Sequence, residues 1–244
     1  MVRKIPLIVN DFALSTWLIL GALLQSFSVI IFPYGLAIRV PFILLLLRLF
    51  STYHEAQGYL ASSGAILRGR WTARVAGDDA ENTSKDRVVV FILGARTLHP
   101  MGRLANGFKE SRTVFADMWD DAETNREKWG YLGRTEPLIS ETHGGMNIVW
   151  LTYWRDLDGL RAFAAGDSHH KGWNAYLAKE FPNLGIMHET YHALNGSWEN
   201  IYHSWPAFGI GETTWQLGET NIVLTEAKNP RDRSLFSRMG RECA

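Results

Sequence analysis

From Phe12 to Ile38 the chain carries no charged residue, FALSTWLILGALLQSFSVIIFPYGLAI, and this stretch limits the possible architectures more than any other. A helix needs about 20 apolar residues to cross the hydrocarbon of a bilayer, so residues 13 to 32 are long enough to span. A helix without a polar stripe is hard to bury in a domain this small. The run also exceeds the apolar region of a cleavable secretory signal, about 7 to 15 residues. After a Pro33-Tyr34-Gly35 break comes a second apolar run, residues 41 to 47, closed by Arg48. It is short for a full crossing and reads as the return arm of a hairpin or as a helix lying in the interface. Residues 1–50 are thus expected to be a membrane anchor, one span or a hairpin, with membrane lipid as a partner.

Charge narrows the partners further. The 25 basic and 25 acidic residues cancel, so nothing points to nucleic acid. Cys243 is the only cysteine, which rules out an intrachain disulfide and fits a reducing compartment. Arg3 and Lys4 before the anchor nearly balance Arg39 and Arg48 after it. The expected location is the endoplasmic reticulum membrane with the catalytic domain in the cytosol. Asn82 and Asn195 head glycosylation triplets that only a lumenal domain would have modified.

Beyond the anchor, residues 51–86 are polar and dotted with glycine, a solvated connector with one short helix near 53 to 62. RVVVFILGA, 87 to 95, is a β-branched apolar run of strand length. Phe108, Val114, Phe115, Met118, Trp119 and Ala122 recur at helical spacing and predict a helix over 107 to 126. Two strand-like runs, 129 to 140 and 144 to 154, flank a turn at Thr142-His143-Gly144-Gly145. Helical patterning covers 157 to 181, interrupted at Gly166-Asp167-Ser168, where Ser168 is a candidate cap. LGIMHETYHAL, 184 to 194, precedes Asn195-Gly196, a strong hairpin signal, and then SWENIYHSW. The order is β-α-β-β-α-β with one added strand: an α+β, ferredoxin-like catalytic domain over 87–215, followed by a polar tail over 216–244. Helices would cover one face of the sheet, and the other, left apolar, predicts pairing with a second copy as a homodimer.

The string H-E-x-x-H at His188 to His192 raises the question of zinc. On a helix, residues four apart lie about 6 Å apart along the axis on one face, within reach of one ion. On a strand they sit about 13 Å apart. Ile186, Thr190 and Tyr191 favour a strand, and Asn195-Gly196 leaves no room for a useful helix, so no metal is expected. Parity then puts His188, Thr190 and His192 on one face and Met187, Glu189 and Tyr191 on the other. Trp150, Tyr153, Trp154, Trp198, Tyr202, Trp173 and Tyr176 bring many large rings to the same domain, the usual lining of a small-molecule pocket. Aromatic core packing is the competing reading.

Three segments in order, FILGARTLHPMG, YWRDLDGLRAFAAGDSHHKGWNAY and GIMHETYHALNGSWENIY, resemble the fungal fumagillin-pathway-type monooxygenases, small membrane-anchored relatives of the antibiotic biosynthesis monooxygenases with a dimeric α+β barrel fold. The resemblance covers about residues 87 to 205. It implies a hydrophobic terpenoid or polyketide substrate from secondary metabolism, oxygenated without metal or flavin by a base, an oxyanion stabiliser and a dry cavity. The positions in the matching segments are His99, Pro100, His169, Trp173, His188, Glu189, Tyr191, Glu199 and Tyr202; His170 departs from the basic residue expected after His169. The resemblance makes His188 or His169 the base, Glu189 its orienter, and Tyr202 or Trp173 the holder of the substrate oxygen. His99, Trp154, Tyr191, Trp198 and Glu199 would line the pocket. Two alternatives accompany this reading: a non-redox cyclase, isomerase or dehydratase using the same acid–base pocket, and a haem enzyme with His169 or His170 as ligand.

Overall fold

A computed structural model describes residues 14–57, 66–75, 87–97, 99, 101–140, 146–194, 197–213 and 222–226. Asn82, Pro100, Asn195-Gly196, Cys243, the turn at 142–145 and the tail beyond 226 lie outside the described residues. The chain divides into two compact units, Met1–Ile66 and Leu67–Ala244.

The first unit is a pair of helices, α1 (Leu14–Ile31) and α2 (Tyr34–Ala56). Nearly every apolar side chain on them is exposed, and Ala37, at 3%, is buried. The second apolar run is not short after all: α2 runs through Arg39, Pro41 and Arg48 for 23 residues. Helix propagation adds one backbone bond per residue, which outweighs an isolated arginine, and the stem of Arg can lie along an apolar surface. The short helix expected near 53 to 62 is the end of α2.

The second unit begins with β1 (Ile66–Val75), inside the segment expected to be a connector. Then come β2 (Val88–Thr97), α3 (Phe108–Thr124), α4 (Arg126–Trp129), β3 (Tyr131–Arg134), β4 (Leu138–Ser140), β5 (Met146–Trp154), α5 (Leu157–Ala164), α6 (Asp167–Leu177), β6 (Leu184–Ala193), β7 (Tyr202–Pro206) and β8 (Ile222–Glu226). The main sheet runs β3-β5-β2-β6, with β4 also on β5, and is antiparallel throughout. With α3 after the first strand and α5–α6 before the last, this is the β-α-β-β-α-β order. Tyr131 begins β3 directly after Gly130, which adopts φ 62° to close α4.

Register sorts the two faces. Val89, Phe91, Leu93 and Ala95 of β2 stand opposite Trp154, Thr152, Trp150 and Ile148 of β5 and His192, Thr190, His188 and Ile186 of β6. This is the helix-covered face. Met118, Trp119 and Ala122 of α3 and Leu160 and Phe163 of α5 pack there with Val89, Leu93, Tyr131, Trp150 and Trp154.

The opposite face holds a second core of Ala73, Val88, Leu132, Tyr202 and Ile210, with Trp71, Val90, Tyr153 and Trp198 against it. A small sheet, β7-β1-β8, supplies that cover. It corrects two expectations. β6 and β7 do not pair as a hairpin, since β6 takes β2 as its partner while β7 pairs with β1. Part of the face expected to need a second copy is instead covered by the chain itself, with Ala73 of β1 and Tyr202 of β7 packed there. Pairing across a long sequence separation replaces the local hairpin, and it accompanies the burial of Ala73, Tyr202 and Ile210.

Candidate active site

The helices do not reach across the whole sheet. α6 packs closely on α3: a side chain at Gly172 would place its Cβ 2.6 Å from Cγ1 of Val114. Edge strand β6 is left largely open, and His188, Thr190 and His192 are exposed although they point to the helix side. His169 of α6 lies close enough to His188 of β6 for the two to interact electrostatically.

His188 stands on the strand, its ring 5.5 Å from that of Phe91. His169 stands in the first turn of α6, half-buried, with its ring 6.3 Å from Phe163 in an edge contact. Burial pushes the pKa of His169 below its ordinary 6.5, and the charges of His170 and His188 push the same way, against a hydrogen bond to the backbone of Ala164. That bond fixes the ring and leaves its other nitrogen for chemistry. Along α6, Trp173 and Tyr176 follow His169 at four- and seven-residue spacing on one helical face, stacked with centroids 5.6 Å apart. Trp173 is 45% exposed.

The start of α6 is tied down from α3. Ser168 Oγ donates to Asp121 Oδ2 at 2.5 Å, while Asp121 Oδ1 accepts from Asn125 Nδ2 at 2.7 Å and Trp129 Nε1 at 3.3 Å. Burial works to raise the Asp121 pKa, yet the bonds from Ser168, Asn125 and Trp129 and the charge of Lys128 outweigh it and hold the carboxyl below its usual range. Ser168 is therefore not the helix cap, a position held by Gly166. It anchors the residue next to His169, a link with no sequence signal because Asp121 lies 47 positions away.

Several residues expected at the site lie elsewhere. Trp154 is fully buried, its Nε1 donating to Thr152 Oγ1 at 2.7 Å and its ring 5.0 Å from both Tyr131 and Phe163. Trp150 is stacked on Phe115 at 5.3 Å in the same core. For these two, core packing is the correct reading. Tyr202 belongs to the second core on the other face, where its hydroxyl donates to the Phe208 carbonyl at 2.7 Å and accepts from Gly211 N–H at 3.0 Å. Burial leads the rise of its pKa to about 12. Trp198 packs beside it, and Glu199 is half-exposed between β6 and β7. Glu189 and Tyr191 share the face opposite His188, so Glu189 cannot orient that imidazole. His99 lies beyond the end of β2, its Nδ1 accepting from Met101 N–H at 3.1 Å.

Among the described residues, no group of three or more His, Cys, Asp or Glu is placed to hold a metal ion. His188 and His192 are four apart on a strand, as alternation predicted.

An antiparallel sheet backed by helices on one face, with imidazoles from a helix and an edge strand interacting electrostatically, defines a small α+β protein. The profile of the af470-like monooxygenase family matches residues 88–210, and the chain belongs to that family. It is similar to monooxygenase af470 of Aspergillus fumigatus, 27% identical over 248 residues that take in 96% of this chain and 89% of that protein. Among solved structures, it is similar to SnoaB, a cofactor-independent oxygenase from Streptomyces nogalater, at 18% identity over 42% of this chain and 90% of that one, with a TM-score of 0.30. It is also similar to an aldoxime dehydratase at 17% identity over 55% of this chain, with a TM-score of 0.39, and spans 34% of that enzyme's length.

Proposed function

We propose that the chain is a monooxygenase that oxidises a hydrophobic terpenoid or polyketide intermediate of fungal secondary metabolism, using no metal, flavin or haem. The family supports monooxygenase chemistry. The observation that carries the site is that His169, half-buried at the start of α6, has its pKa lowered by burial and in part by the charge of His188 on β6.

In this reading one imidazole takes a proton from an acidified carbon of the substrate, and the carbanion's electrons pass to dioxygen as a carbon–oxygen bond forms. The resulting peroxide is protonated by the imidazolium and loses water to leave a carbonyl, so one oxygen atom stays in the product and the other leaves as water. The neighbouring imidazole supplies the second donor for the developing negative oxygen. Trp173 and Tyr176 offer rings for an apolar polycyclic substrate. A substrate of this kind partitions into lipid, which suits a chain with two long apolar helices, and the catalytic unit is assigned to the cytosolic side of the endoplasmic reticulum.

The test is incubation of the detergent-solubilised full chain with extract of a producer strain lacking it, under isotopically labelled dioxygen, followed by mass spectrometry. The proposal expects a product carrying one labelled oxygen, from protein without a haem absorption band. Turnover in the absence of oxygen, giving an isomer of the substrate or its dehydrated form, would establish the non-redox use of the same two imidazoles instead.

A further inference from the structure

The first unit contains one polar contact that explains its shape. Pro41 sits inside α2 and has no N–H, so the carbonyl four residues earlier, that of Ala37, loses its helical donor. Gln25 of α1 fills the gap: its Nε2 donates to Ala37 O at 3.0 Å. Ala37 is buried against the neighbouring helix while the apolar residues around it are exposed. In water such a bond is dispensable, because solvent satisfies a free carbonyl. In hydrocarbon an unsatisfied carbonyl costs several kcal/mol, and a partner from the adjacent helix becomes decisive.

We propose that α1 and α2 cross the bilayer together as a two-span hairpin, locked by Gln25 and Ala37, with the Phe32-Pro33 turn at the far face and both ends emerging on the same side. The lengths agree. α1 has 18 residues and α2 has 23, enough at 1.5 Å per residue for a hydrocarbon layer of about 30 Å with the flanking residues. A core helix would be covered by protein, but 0% of the α1 window and 6% of the α2 window is buried. Arg39 and Arg48 lie about 14 Å apart along α2, which lets one reach the turn-side headgroups and the other rise toward the opposite interface.

The experiment uses the full chain, tagged at its N-terminus, in sealed microsomes treated with protease, with the tag and the folded second unit followed separately. The hairpin predicts that both are digested or both protected. One digested and one protected would show a single crossing with α2 in the interface, and a mature chain lacking residues 1–31 would show cleavage; either overturns the proposal. The lock is tested by a double-mutant cycle. Gln25→Leu is expected to raise the fraction of split-topology chains roughly threefold, as for one hydrogen bond between transmembrane helices. In a Pro41→Ala background, where residue 41 again donates to Ala37, Gln25→Leu should change nothing. An equal effect in both backgrounds, or none in either, would refute the lock.

Discussion

The hydroxyl of Tyr191 donates to the carboxylate of Glu189 at 2.5 Å, on the face of β6 opposite to His188. Both residues are exposed, and the bond and charge of Glu189 raise the Tyr191 pKa. Glu189 is thus engaged with its own strand neighbour and cannot assist the histidine next to it in sequence. Glu189→Gln should leave turnover at the wild-type level; steady-state kinetics on the purified variant checks this, and loss of activity would place the chemistry on the other face.

His169 titrates below 6.5 because its ring is half-buried and lies near two other imidazoles. Folding therefore favours the neutral form, so this group contributes stability above 6.5 that is lost as pH falls through the lowered folded value. The acid limb of the rate profile should fall below 6.5. In His188→Ala, one of the depressing charges is gone, and the His169 midpoint should move toward higher pH in an NMR titration of its ring protons. An unchanged midpoint would mean that the two rings do not share a site.

Tyr202 has a structural role. Its hydroxyl bonds both the Phe208 carbonyl and the Gly211 N–H, which also bond each other at 3.1 Å, so Tyr202→Phe removes two hydrogen bonds and leaves that turn its own backbone bond. A loss of about 1–3 kcal/mol in denaturant unfolding is expected, with the pH profile of turnover unchanged.

Gly172 permits the close approach of α6, which carries His169, to α3. Gly172→Ala must displace Val114 or push α6 outward, costing about 1–3 kcal/mol by overpacking. Because His169 rides on α6, KM for substrate should rise as well, which kinetics and thermal unfolding measured together will show.

Much of this was legible in the sequence, for physical reasons that differ between elements. Strand β6 was readable because Ile186, Thr190 and their neighbours alternate between two faces and helix-breaking residues follow. The same alternation put His188 and His192 on one face. The small sheet was not readable. In β1 the buried Thr72 and Ala73 are neighbours in sequence, so no alternation marks a face, and arginines at 68, 70 and 74 interrupt any apolar run. Nor can a pattern of rings reveal whether the space beside them is filled. Trp150 and Trp154 do lie on the histidine face, yet Phe115, Phe163 and Tyr131 close over them, which only the packing of α3, α5 and β3 decides.

The proposed joint action of His169 of α6 and His188 of β6 is the centre of the account, and kcat/KM of His169→Ala, His188→Ala and the double variant tests it most directly. Each single variant should lose roughly 10²- to 10⁴-fold, and the double little more than the worse single, as expected when two groups act as one unit. Wild-type rates in both single variants, with folding intact, would contradict it.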